Sequence, residues 1–349
     1  MIEELHMFPS DHKFYLQYRK GLVSKIFSRI RAMRSCSVVG ASGMGKTRLF
    51  DYMFKEDIRE HYLKEKNENC LFVRVDCNLR PGDPEIPFSV LMLSALIQAL
   101  EKHSDPDLNK RAVRYTYDLL HPLKESADSF TALRSLKAAL EPLYENEELS
   151  VCFFLDEFGG RYSQLPVAEL DNLRGLRDAN KKNICYVALF RVAPQYLRDV
   201  SEVENIYEII TSRVYGLTTY NDIDTDLMFT ELENDFGIPL LPENKKRIYT
   251  ESGGHPGTML ALFETVIEEQ SIFTSDEETK KLFSSIKKEE IRKLWDSLPK
   301  REQEAFEQII DGNRPEEEFL EQLILKGLAS ESNSVVKTTL PLLEGYVSR

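Results

Sequence analysis

Short, continuous apolar runs alternate along the first two thirds of the chain with segments whose apolar residues recur every three or four positions. The continuous runs are 35–39, 71–75, 151–155 and 184–189, with a weaker one at 213–217. Unbroken apolar runs have both faces buried, which suits parallel strands covered by helices on each side. Between them, 47–54, 87–102, 130–144 and 167–179 carry helical periodicity. This alternation predicts an α/β domain with a doubly wound parallel sheet over residues 1–220.

Strand signals then nearly vanish. Residues 222–236, 242–252 and 256–270 read as helices, and the polar stretch 271–278 reads as a loop. Residues 221–286 are therefore expected to form a helical lid. In the last stretch, 299–310 is helical, with Gly312 and Asn313 as stop signals. Pro315 suits a helix start, with Glu316, Glu317 and Glu318 well placed against the helix dipole. Gly327 follows as a left-handed cap. Residues 328–331 and 335–338 flank a turn at Ser332-Asn333-Ser334. Helix, helix, hairpin, helix over 287–349 is the outline of a winged helix-turn-helix.

Composition narrows the class. The chain has 349 residues, of which 42% are hydrophobic and 30% charged. No apolar run approaches the ~18 residues that span a membrane. The first residues, Met1-Ile2-Glu3-Glu4-Leu5, lack the basic start and apolar core of a secretion signal. The five cysteines are scattered, without a C-x-x-C pair, which predicts reduced core thiols and a cytoplasmic location. The net charge is −13, yet residues 1–50 carry nine Lys or Arg against three Asp or Glu. Arg19, Lys20, Lys25, Arg29, Arg31 and Arg34 interleave with Leu22, Val23, Ile26, Phe27 and Ile30. This amphipathic basic helix over 19–34 has two readings: a solvated helix face, or an electrostatic contact to nucleic acid or an acidic partner.

The candidate chemistry begins at Gly40-Ala41-Ser42-Gly43-Met44-Gly45-Lys46-Thr47, which fits the phosphate-loop pattern G-x-x-x-x-G-K-[ST]. A strand precedes it and a helix follows, so backbone N–H groups and a helix N-terminus converge on one phosphate. Lys46 is expected at the β- and γ-phosphates and the Thr47 hydroxyl on magnesium. Arg48, in the next helical turn, is counted with the nucleotide-binding residues. The strand 151–155 ends in Asp156 and Glu157, where open α/β sheets bind ligands. Asp156 is expected to hold magnesium and Glu157 to orient or deprotonate the attacking water. Past the strand 184–189, Arg191 either reaches the γ-phosphate or caps the strand end. Arg174 and Arg177 are either fingers toward a neighbouring subunit or part of a solvated helix face.

With the phosphate loop, Asp156-Glu157, Arg191 and Ser252-Gly253-Gly254-His255-Pro256-Gly257, the chain resembles the STAND branch of the AAA+ ATPases in its prokaryotic forms. In that branch a Gly-x-Pro motif opens a lid helix, and its proline contacts the adenine end of the nucleotide; Gly254-His255-Pro256 matches it. The resemblance extends over roughly residues 14–349, lid and terminal winged helix included. It implies that His255 and Pro256 belong to the nucleotide site, His255 either sensing phosphates or capping its helix. Family members carry an aromatic-rich Gly-Arg motif near the N-terminus that packs on adenine, and this chain has Tyr18 in place of that glycine, before Arg19. The lid lacks the sensor arginine of typical AAA+ machines.

The function implied is an ATP-binding and ATP-hydrolysing switch, with slow turnover, whose ATP or ADP state controls conformation and assembly in signalling or defence. Self-association is expected, as is a protein partner that supplies the sensor or effector. The alternative is a DNA-associated ATPase, initiator-like or transposon-regulator-like. Against it stand Glu316, Glu317, Glu318 and Glu321 on the presumed recognition helix, opposed by Lys326 alone, because acidic residues repel the phosphates at a groove.

Overall fold

The computed structural model describes residues 15–64, 69–79, 86–124, 128–145, 148–268 and 288–348. The polar stretch 271–278 and the last two residues of the segment 256–270 lie outside the described residues. The chain divides into two compact units. A sheet unit comprises Lys25–Gly40 and Lys46–Gly216; a second unit comprises Met1–Ser24, Ala41–Gly45 and Leu217–Arg349.

The sheet unit is built on five parallel strands: β1 (Cys36–Val39), β2 (Cys70–Asp76), β3 (Ser150–Asp156), β4 (Ile184–Phe190) and β5 (Val214–Gly216), in the order β2-β3-β4-β1-β5. Every residue of β1 and β4 is buried, as expected of strands covered on both faces. Phe154 meets Phe50 and Phe54 at centroid separations of 4.9 Å, and Phe72 at 4.7 Å. Phe190 packs edge-on against Phe158 and Tyr162. Each ring buried this way is worth about 1.5–3 kcal/mol of transfer free energy. The pairing puts Val39 beside Phe190 and Leu155 beside Ala188. The chain therefore leaves β1, β3 and β4 at one common edge, and the loops after those strands carry Lys46, Glu157 and Arg191.

Four helices of this unit go beyond the predicted set: Glu56–Leu63, Pro106–Leu120, Phe158–Gln164 and Val200–Ile210. Asp105 caps Pro106–Leu120 by accepting from the N–H groups of Asp107 and Leu108. The helix Lys20–Arg31 spends part of its charge internally: Arg29 donates to the Ser35 carbonyl at 2.8 Å and to the Ser212 hydroxyl at 3.0 Å.

In the second unit the helices run Asp222–Phe236, Pro242–Ser252, Pro256–Glu268, Lys288–Asp296, Lys300–Ile310 and Glu317–Leu325. An antiparallel hairpin of β6 (Ala329–Ser332) and β7 (Val335–Thr338) follows, then the helix Pro341–Val347. Asn333 and Ser334 both have positive φ, +50° and +63°, the two-residue turn whose twist matches that of the strands. The helix expected to start at Pro315 starts at Glu317 instead, because Glu316 is extended at ψ 138°. Gly327 adopts φ +68°, and a Cβ there would stand 2.8 Å from the Thr218 Cα, so both conformation and space call for glycine.

Lys326 requires a correction. It does not offset the glutamates on the surface of Glu317–Leu325. Its ammonium is fully buried, bonded to both carboxylate oxygens of Glu302 at 2.6 and 2.7 Å. Burial pushes Glu302 up and Lys326 down from their ordinary pKa values, and each charge counters the shift of the other. Glu316, Glu317, Glu318 and Glu321 remain exposed, and Arg314, just before the helix, pairs with Glu317 at 2.9 Å.

Candidate nucleotide site

Within the sheet unit, three of the predicted residues share one ion-pair chain. Glu157 lies 3.8 Å from Lys46 through Oε1 and 2.8 Å from the Arg191 Nε through Oε2. Lys46 also donates to the Gly40 carbonyl at 3.0 Å. The Lys46 side chain is buried and that of Arg191 is half exposed. Both cations face the same carboxylate, and a phosphate would compete for both. Glu157 occupies the left-handed region at φ 52°, ψ 39°, immediately before Phe158–Gln164. Non-glycine residues in that region are uncommon and strained, and such strain concentrates at functional sites.

Asp156 ends β3 with one oxygen held. Arg74, on β2, donates to Oδ2 through Nη2 at 2.5 Å and Nε at 3.2 Å, and its Nη1 reaches Asp51 Oδ1 at 2.5 Å. Oδ1 of Asp156 is buried and has no hydrogen-bond partner among the described residues. Burial pushes the Asp156 carboxyl up from its ordinary pKa, against the pull of Arg74. A buried carboxylate oxygen without a donor is costly unless a ligand claims it. The donor type suits magnesium, which takes oxygen ligands and is held by one or two carboxylates together with substrate phosphates. Among the described residues no group of three or more metal-ligating side chains occurs. Thr47 and Arg48 lie on the first turn of the helix Lys46–Phe54, Thr47 exposed and Arg48 half-buried.

Arg174 and Arg177 are committed inside the same unit. Arg174 donates to Asp178, Glu208 and the Asn205 carbonyl, and Arg177 to Asp178.

The middle of the phosphate loop, Ala41–Gly45, groups with the second unit. Gly43 and Gly45 adopt φ +75° and +81° on either side of Met44, a conformation in which successive N–H groups form an anion-binding concavity. His255 lies here, 1% exposed, with Nε2 2.9 Å from the Ser42 carbonyl and Nδ1 2.7 Å from the Thr258 hydroxyl. Pro256 is buried at the start of its helix, and the Gly257 N–H donates to the Gly43 carbonyl at 2.9 Å. A Cβ on Gly43 would meet the His255 ring at 2.5 Å, so only glycine fits beneath the imidazole.

Arg74 was missed in the sequence; an arginine at an interior position of an otherwise apolar strand was its signal. Arg19, read in the sequence as part of the basic helix and of the Gly-Arg motif, has contacts that neither reading described. It is 6% exposed at φ +42° and donates to the Met44 carbonyl at 3.0 Å and the Thr218 carbonyl at 2.8 Å. Its backbone N–H bonds Asp224, and its guanidinium lies 4.6 Å from the Tyr220 ring centroid. No helix among the described residues is long and apolar enough to cross a membrane.

No protein-family model and no curated protein matches the sequence. Among solved structures the chain is similar to the Walker-type ATPase of Pyrococcus abyssi, with 13% identity and a TM-score of 0.55 over 98% of this chain and 96% of that one. It is also similar to the ORC2 protein of Aeropyrum pernix, solved as ADPNP–ADP complexes, with 14% identity and a TM-score of 0.48 over 98% and 95%. The likeness to the Pyrococcus ATPase is one of fold, a five-stranded parallel sheet with flanking helices of the P-loop NTPase type.

Proposed function

We propose that the chain is a slow, magnesium-dependent ATPase of the STAND type, a switch whose ATP or ADP state governs its conformation and self-association in signalling or defence. The observation that carries this reading is the junction of Lys46, Glu157 and Arg191 beside an Asp156 whose buried Oδ1 has no partner among the described residues. In this reading residues 1–220 are the ATPase core, 221–286 the lid and 287–349 a winged helix that meets a protein partner. Gly40 to Thr47 wrap the phosphates, Lys46 engages the β- and γ-phosphates, and Arg48 lies with them in the nucleotide site. Thr47 and Asp156 hold magnesium, which neutralises charge on the phosphates when bound. Glu157 takes the proton of the attacking water once phosphate has drawn Lys46 and Arg191 away from it.

The DNA-associated alternative is weaker for two reasons. The exposed face of Glu317–Leu325 is acidic, with Lys326 buried. In the basic segment 19–34, Arg19 and Arg29 already donate to carbonyls of the chain. An acidic face and a partly spent basic helix favour a protein partner over a phosphate backbone.

Size-exclusion chromatography with light scattering, run in ADP, in ATP and in a non-hydrolysable ATP analogue, tests the switch. A change of mass between ADP and the analogue is expected; identical mass in all three rejects nucleotide-controlled assembly. Arg191→Ala is expected to weaken ATP binding about tenfold while leaving ADP nearly unchanged, the loss of one charge-assisted contact to the γ-phosphate. Calorimetric titration of both nucleotides decides it, and equal losses would remove Arg191 from that role.

A further inference from the structure

Three successive carbonyls of the phosphate loop each accept a hydrogen bond from the second unit. Ser42 O takes His255 Nε2 at 2.9 Å, Gly43 O takes the Gly257 N–H at 2.9 Å, and Met44 O takes Arg19 Nη2 at 3.0 Å. The imidazole tautomer follows from its neighbours. The Thr258 N–H donates to Nδ1 at 3.1 Å, so Nδ1 carries the lone pair and the proton sits on Nε2, facing Ser42 O. Both ring nitrogens are thus taken by protein groups. Arg19 is held as firmly, by Asp224 at its backbone and Thr218 at its guanidinium.

A peptide group is planar, with C=O and N–H on opposite sides. Holding the carbonyls of Ser42, Gly43 and Met44 therefore fixes the N–H groups of Gly43, Met44 and Gly45 away from these donors. The Met44 N–H donates to the Ala41 carbonyl within the loop at 3.4 Å, so the N–H groups of Gly43 and Gly45 so fixed are the working part of a phosphate cradle. We propose that Arg19 and His255 are positioning residues that pre-organise the phosphate loop through its carbonyls, and that neither touches the nucleotide. This chooses between the two readings of His255 and gives Arg19 a role other than adenine packing. It rests on the nucleotide-site reading above.

The experiment titrates ADP, ATP and inorganic tripolyphosphate, each with magnesium, into the wild type, Arg19→Ala, His255→Ala and His255→Gln. All three ligands are expected to weaken about tenfold in both alanine variants, the loss of one hydrogen bond on a loop that serves every phosphate alike. Glutamine, which carries an N–H near the Nε2 position, is expected to recover part of that loss. An ATP-to-ADP preference altered in His255→Ala would make His255 a phosphate sensor and overturn the proposal. So would Arg19→Ala weakening the nucleotides but not tripolyphosphate, since that marks a base contact. If wild type binds normally and the variants match it, this inference alone fails. If wild type binds none of the three ligands, the nucleotide-site reading fails and takes this one with it. Nitrogen NMR of histidine-labelled wild type, assigned with His255→Gln, needs no folded alanine variant. An Nε2–H tautomer for His255 that persists on adding ADP is expected; a change of tautomer or protonation on binding overturns the proposal.

Discussion

Glu157→Gln is expected to leave ATP bound and to slow its hydrolysis by about 10²–10⁴-fold, the usual contribution of a positioned general base. Glutamine keeps the shape of the side chain, and the left-handed backbone at this position is unaltered by the exchange. What it lacks is a carboxylate to take the proton of water. It also releases Lys46 and Arg191 from their shared anion, so ATP affinity should hold or rise. Single-turnover hydrolysis beside an equilibrium titration separates the two effects. A single-turnover rate equal to that of wild type would reduce Glu157 to an ion-pair partner.

Lys46→Ala should weaken magnesium-ATP binding about a hundredfold, because it removes charge-assisted hydrogen bonds worth about 1.5–3 kcal/mol to the phosphates. The ammonium is buried and close to both Gly40 O and Glu157, so it is held where the helix Lys46–Phe54 begins rather than ranging through solvent. ATP affinity equal to wild type by calorimetry would remove the phosphates from this place in the fold. Thermal melting without nucleotide serves as the control for folding, since the exchange also leaves the Gly40 carbonyl without this donor.

The sheet was legible wherever burial on both faces produced unbroken apolar runs. Val151–Leu155 and Ile184–Leu189 announced β3 and β4 and, with them, where Asp156, Glu157 and Arg191 would emerge. The missed helices have another physical origin. Glu56–Leu63 buries only Ile58 and Leu63, and Pro106–Leu120 buries Leu108, Thr116 and Leu120 while Tyr115 and Tyr117 stay exposed. The two buried residues of Glu56–Leu63 hardly register as periodicity, whereas Pro106–Leu120 is amphipathic and Asp105-Pro106 was a start signal for it. The site splits the same way. Motif spacing is local and visible, whereas the bonds of Arg74 to Asp156 and of Arg19 to Met44 join positions 82 and 25 residues apart. Lys326 shows the reverse error: a charge counted as surface from helix position alone lies in the interior because Glu302, 24 residues upstream, meets it there.

All five cysteines are buried, and all five fall in the sheet unit. The single tryptophan, Trp295, belongs to the other unit, edge-on to Phe306. The chain thus carries one native reporter for each unit. A thiol reagent reaches the fully buried Cys36, Cys152 and Cys185 only when the sheet unit opens, so their labelling rate follows the free energy of that opening. Tryptophan emission follows the second unit in the same sample. Coincident denaturation midpoints for the two signals would make the chain one cooperative body, and separate midpoints would make it two. Adding nucleotide then shows which midpoint binding raises, because a ligand stabilises only what must be folded to hold it.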